Sequence, residues 1–222
     1  MKRKTSFVHR NGLTLVLVVF FALSMAGQII TGRSEYNDER SKHGRTSVGI
    51  EMYFTTGHFL QTTFENWESE FLQMGMYVLL TIWLRQQGSS ESKDLDAKEE
   101  VDREPNPAKP DAPWPVKRGG VALAIYRNSL SLAFLLLFLL SFSLHAIGSL
   151  QNFNDERAME GERLVGMTEF MTMSRFWFES FQNWQSEFVA VISIVVLSIF
   201  LRQFGSPESK PVDASMLETG TG

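Results

Sequence analysis

Two glutamates, Glu70 and Glu187, hold the same place in two near-copies of one string: Phe64–Phe71 reads FENWESEF and Phe181–Phe188 reads FQNWQSEF. Adding 117 to each residue number carries His9–Lys93 onto Tyr126–Lys210 without a gap, and about 34 of the 85 pairs are identical. Repeats are sought first because missing one misassigns the whole fold. Two equivalent carboxylates facing each other would suit proton or cation passage. A carboxylate paired with an arginine would pin one segment onto another. The arginines that both copies share on the matching side are Arg40 and Arg157, in Asn37-Asp38-Glu39-Arg40 and Asn154-Asp155-Glu156-Arg157. We therefore expect Glu70 to pair with Arg40 and Glu187 with Arg157. Asn66 and Asn183, one turn away, suit interhelical hydrogen bonds.

The elements that position these residues are apolar and long. Leu13–Ile30 is uncharged, and so is its counterpart Leu130–Ile147. At about 1.5 Å per residue such runs cross most of a roughly 30 Å hydrocarbon core. Lys2-Arg3-Lys4, an apolar core and Ser24-Met25-Ala26 also fit a cleaved signal peptide. The internal counterpart favours a retained helix. Apolar residues then recur with helical spacing at Leu60, Phe64, Trp67, Phe71, Met74 and Val78, and in the second copy at the equivalent positions. The uninterrupted part, Phe71–Leu84, spans only 14 residues. That is roughly 21 Å and short for a bilayer, so the helix must draw in Trp67 and Phe64. Glu70 then lies near the membrane surface, where an unpaired carboxylate costs a few kcal/mol. Trp67 and Trp184 suit interfacial anchoring and packing. Arg85 and Arg202, in the closing Leu-Arg-Gln strings, suit snorkelling to the headgroups and capping of the helix end.

These features predict an all-α membrane protein. Four transmembrane helices, near 12–31, 59–86, 129–148 and 175–203, form two tandem-repeated helical hairpins with pseudo-twofold symmetry along the membrane normal. The expected organisation is a basic cytoplasmic N-terminus (1–11), a first two-helix repeat (12–86), a disordered Pro-rich charged linker (87–120), a second repeat (121–204) and a flexible tail (205–222). With both termini and the linker on one side, that side holds fourteen of the 21 lysines and arginines. The charge bias predicts an N-in, C-in topology.

Several functions are excluded or disfavoured. The chain has no cysteine, so disulfides and thiolate metal sites are ruled out. A net charge of −4 without a basic patch argues against nucleic acid. Asp38, Glu39, Asp155 and Glu156 offer oxygens to a hard cation, but without EF-hand spacing. His9, His43, His58 and His145 are scattered, and none has a histidine at its repeat-equivalent position. No metal or cofactor is expected, and the absence of phosphate-loop, nucleophile-elbow, dinucleotide and zincin motifs argues against an enzyme.

The doubled Asn-Asp-Glu-Arg, Phe-x-Asn-Trp-x-Ser-Glu-Phe and Leu-Arg-Gln-x-Gly-Ser-x-Glu-Ser-Lys strings resemble a bacterial family of small uncharacterised membrane proteins, known as a domain of unknown function. The resemblance covers both copies. It implies a membrane location and carries over no catalytic or binding residue. The expected role is a scaffold or interaction protein integral to the bacterial cytoplasmic membrane, with membrane lipids, a second copy or another membrane protein as partners. The alternative is a small proton or cation channel or transporter using Glu70 and Glu187.

Overall fold

A computed structural model describes residues 6–220; Lys2, Arg3 and Lys4 of the expected basic N-terminus lie outside the described residues. The order is α1 (Phe7–Arg10), α2 (Gly12–Lys42), α3 (Ile50–Tyr53), α4 (Gly57–Trp83), α5 (Trp114–Arg118), α6 (Gly120–Arg127), α7 (Ser129–Glu160), α8 (Met167–Phe170) and α9 (Ser174–Phe200), with a 3₁₀ turn at Glu100–Asp102. No strand occurs among the described residues.

Helices α2 and α7 continue well past the expected span ends at 31 and 148. Their 31 and 32 residues correspond to about 46–48 Å, more than the hydrocarbon core requires. No proline interrupts the polar stretch after either apolar run, so nothing breaks the hydrogen-bond ladder. Both Asn-Asp-Glu-Arg strings therefore lie on helix. The helices stop where Gly44 and Gly161 adopt positive φ, 68° and 74°, the left-handed conformation that ends helices without a Cβ penalty.

Three helices, α2, α7 and α9, are long and apolar enough to cross a membrane, with mean hydropathies of 2.4, 2.3 and 1.5 over their apolar windows. Their apolar side chains are largely exposed, as at Val18, Phe20, Leu136 and Ile192. Helix α4 has the length but carries Glu65, Glu68 and Glu70 in its first half.

The chain divides into two compact units. One comprises the described residues up to Thr63 with Ala146–Phe170; the other comprises Phe64–His145 with the described residues from Met171 on. In the first, Tyr36, Tyr53, Ala146, Val165 and Phe170 are buried. There α7 meets the start of α4 so closely that a Cβ at Gly148 would lie 2.5 Å from the Gln61 backbone nitrogen. In the second, the linker and the tail carry mutual hydrogen bonds: Gly88 N donates to Thr219 Oγ1 at 3.0 Å, Ser90 Oγ to the Glu208 carbonyl at 3.0 Å, and Gly220 N to the Ser89 carbonyl at 3.0 Å. Lys210 is buried, its ammonium donating to the carbonyls of Ser215, Met216 and Glu218.

Candidate functional site

In the second unit, four ionisable side chains converge from three helices. Glu65 and Glu68 stand three residues apart on α4 and so adjoin on one face; His145 comes from α7 and Glu179 from α9. Nδ1 of His145 lies 2.6 Å from Glu68 Oε2, and both side chains are fully buried. An ionised carboxylate only accepts, so the imidazole donates through Nδ1. The other oxygen of Glu68 accepts the indole N–H of Trp184 at 2.9 Å. These two bonds fix the ring's orientation. Nε2 then faces Glu179 Oε2 at 3.5 Å and Glu65 Oε2 at 3.8 Å, without a hydrogen bond of its own.

The surroundings hold this geometry. Arg175 Nε donates to Glu179 Oε1 at 3.1 Å, leaving Oε2 toward the histidine. The fully buried Phe176 ring lies 4.8 Å from the imidazole, and Phe142 meets Phe176 edge-on at 5.4 Å. Glu65 and Glu179 keep 20% and 15% of their side-chain surface exposed. The site is thus closed around His145 and Glu68 and open to solvent past the other two carboxylates.

The residues expected from sequence are placed differently. In the first unit, Arg40 Nε donates to the Thr46 carbonyl at 2.9 Å, and Arg157 Nε to the Arg163 carbonyl at 2.6 Å. Arg157 also pairs with Glu162 at 2.8 Å. Each arginine ties its helix to the following loop. Glu70 is exposed and Glu187 half-buried. Asn66 is exposed, its carbonyl accepting from Ser69 Oγ at 2.8 Å; Asn183 donates to the Glu179 carbonyl at 3.2 Å, and its own carbonyl accepts from Ser186 at 2.8 Å. Trp67 packs edge-on against Phe64, while Trp184 serves the buried cluster. Arg85 donates to the Thr81, Ile82 and Leu84 carbonyls, and Arg202 to those of Ser198, Ile199 and Leu201, so each caps its helix end.

The Asn-Asp-Glu-Arg strings have a local structural task. Asn37 accepts from Val48 N at 2.8 Å and donates to the Val48 carbonyl at 3.2 Å. Asn154 does the same to Val165, both at 2.9 Å. Asp155 accepts from Tyr36 at 3.4 Å, Glu156 accepts from Asn152 at 3.0 Å, Glu39 pairs with Lys42 at 2.9 Å, and the Asp38 carbonyl accepts from Ser41. In the same unit Tyr53 Oη and His58 Nδ1 lie 2.9 Å apart. Burial pushes the Tyr53 hydroxyl up to about 12, with the Glu35 charge adding to it, and burial lowers the His58 pKa against the carboxylates of Glu35 and Glu156.

Sequence reasoning missed Glu65, Glu68, His145 and Glu179. The signal was the i, i+3 glutamate pair within FENWESEF, on the same helical face.

No curated protein and no solved structure matches the chain. Residues 4–221 match the family described as a domain of unknown function (DUF6766), and the chain belongs to that family.

Proposed function

We propose that the protein is a non-enzymatic interaction protein of the bacterial cytoplasmic membrane whose helices are organised by a cation held at His145, Glu65, Glu68 and Glu179. The observation that carries this reading is a fully buried imidazole facing carboxylates from two other helices. A bound positive charge there offsets repulsion between α4 and α9 and draws α7 to both.

In this reading α4 is a fourth span and the two doubled hairpins are related by a pseudo-twofold along the membrane normal. The site then lies toward the outer ends of the spans, with both termini cytoplasmic. The exposed apolar faces meet membrane lipids, a second copy or another membrane protein. Neither nucleic acid nor an organic cofactor is involved.

A second reading, cation or proton passage, draws support from two glutamates, Glu70 and Glu187, at equivalent places in the doubled string. Against it, Met74–Ile82 and Val191–Ile199 contain no charge and no proline, whereas transport paths usually place ionisable or broken-helix features near mid-membrane.

Hydrogen exchange of the reconstituted chain, across pH and a panel of mono- and divalent cations, tests the first reading. Slower exchange around residues 65–68, 145 and 179 with at least one cation, lost in Glu68→Gln, supports it. Exchange indifferent to every cation and to pH would overturn it. Flux in proteoliposomes that Glu70→Gln with Glu187→Gln abolishes would install the second reading.

A further inference from the structure

Glu65, Glu68 and Glu179 bring carboxylate oxygens to the ring nitrogens of His145 at 3.8, 2.6 and 3.5 Å, and Arg175 holds the other oxygen of Glu179. Carboxylates gathered beside an imidazole form a set that a cation can join. The histidine points to which kind. Its Nδ1–H is committed to a buried carboxylate, the arrangement by which metal-binding histidines are oriented and made more basic. Its Nε2, on a fully buried side chain, has no hydrogen-bond partner and is aimed between two carboxylate oxygens.

The distances fit an ion. Two ligands each about 2.1 Å from one metal can be no more than about 4.2 Å apart. Nε2 lies 3.5 Å and 3.8 Å from the oxygens of Glu179 and Glu65, and the three ligand atoms lie within 4.8 Å of one another. Drawing the two carboxylate oxygens together by about one ångström or slightly more closes the set around that same bond length.

We propose that His145 Nε2, Glu65 Oε2 and Glu179 Oε2 bind one divalent transition-metal ion, with water in the remaining positions. The proposal deepens the cation reading above and rests on it. Imidazole beside carboxylates suits Mn²⁺, Fe²⁺ or Zn²⁺, whereas Ca²⁺ takes six to eight oxygens and Mg²⁺ keeps most of its water. Glu68 and Arg175 are positioning residues: Glu68 holds the ring and Arg175 turns Glu179. In the 117-residue register, Glu65, Glu68, His145 and Glu179 correspond to Gln182, Gln185, Gln28 and Thr62. None of these four can ionise as an acid or offer an imidazole, so the stoichiometry is one ion per chain.

Titration calorimetry of the full chain in detergent, stripped with chelator and titrated with MnCl₂ or ZnCl₂, tests the assignment. The expected result is saturable binding of one ion, lost in His145→Gln and in Glu179→Gln, and weakened roughly 10–100-fold in Glu68→Gln. Circular dichroism verifies that each variant stays helical. If His145→Gln unfolds, Glu65→Gln at the solvent edge carries the same expectation. Absence of saturable binding of both ions would overturn the proposal, as would binding that survives Glu65→Gln and Glu179→Gln. Exchange protection that responds to protons or alkali cations, with no Mn²⁺ or Zn²⁺ binding, would remove the metal and leave the cation reading standing.

Discussion

Glu68 and His145 meet at 2.6 Å with neither side chain exposed to solvent. Removing one partner strands the other without water, and breaking a buried pair of this kind costs about 3–5 kcal/mol. Glu68→Gln and His145→Gln should each lower stability by that order in urea titrations in detergent. The double variant should cost clearly less than the sum, since contacting residues are not additive. Strict additivity would show that the two do not act as a pair.

The two asparagine clamps should behave alike. Asn37→Ala and Asn154→Ala each remove a donor and an acceptor from a half-buried loop backbone. Stranding such groups costs about 1–3 kcal/mol. Asn→Asp keeps the acceptor and loses the donor, so it should be the milder change at both sites. Limited proteolysis should find faster cutting at 44–49 in the first variant and at 161–166 in the second.

His58 gives the first unit a pH dependence of definite sign. It lies just outside the proposed span 59–86, and burial lowers its pKa from 6.5. The folded state favours the neutral ring, and the unfolded state takes up the proton more readily. Stability is therefore intact above about pH 6.5 and falls as the pH drops through the folded-state pKa. Thermal midpoints measured in detergent should decline with acid below that point, and His58→Gln should flatten the decline. A steeper decline in the variant would reverse the sign.

Topology can be read directly because the chain has no cysteine. Single cysteines in 87–120 should be shielded from an impermeant thiol reagent applied to intact cells. Those in 35–50 should label. The opposite pattern would invert the insertion.

The long helices were legible from uninterrupted apolar runs and from the 4, 3, 4 spacing on α4 and α9. Their polar extensions were harder to see, because the polar stretches after Ile30 and Ile147 contain residues equally common in turns, and only the lack of proline marks them as helical. The loop contacts of Arg40 and Arg157 were not legible, because a guanidinium near a helix end can reach the carbonyls of its own returning loop, which no residue pattern marks. The acidic cluster was hidden by the doubling itself. Attention to what both copies share selected Glu70, Glu187 and the asparagines, whereas Glu68, His145 and Glu179 differ between copies. His145 stands alone among scattered histidines, with Gln28 at its equivalent position.

The buried cluster is also divided along the polypeptide: Glu65 and Glu68 precede the proline-rich segment, and His145 and Glu179 follow it. Severing the chain between Glu104 and Pro113 would put two members on each fragment, with the peptide connection gone and the helices intact. An ion held in common would then act as a reversible fastener between separate polypeptides. Co-expressed halves should copurify, and chelator should weaken their association.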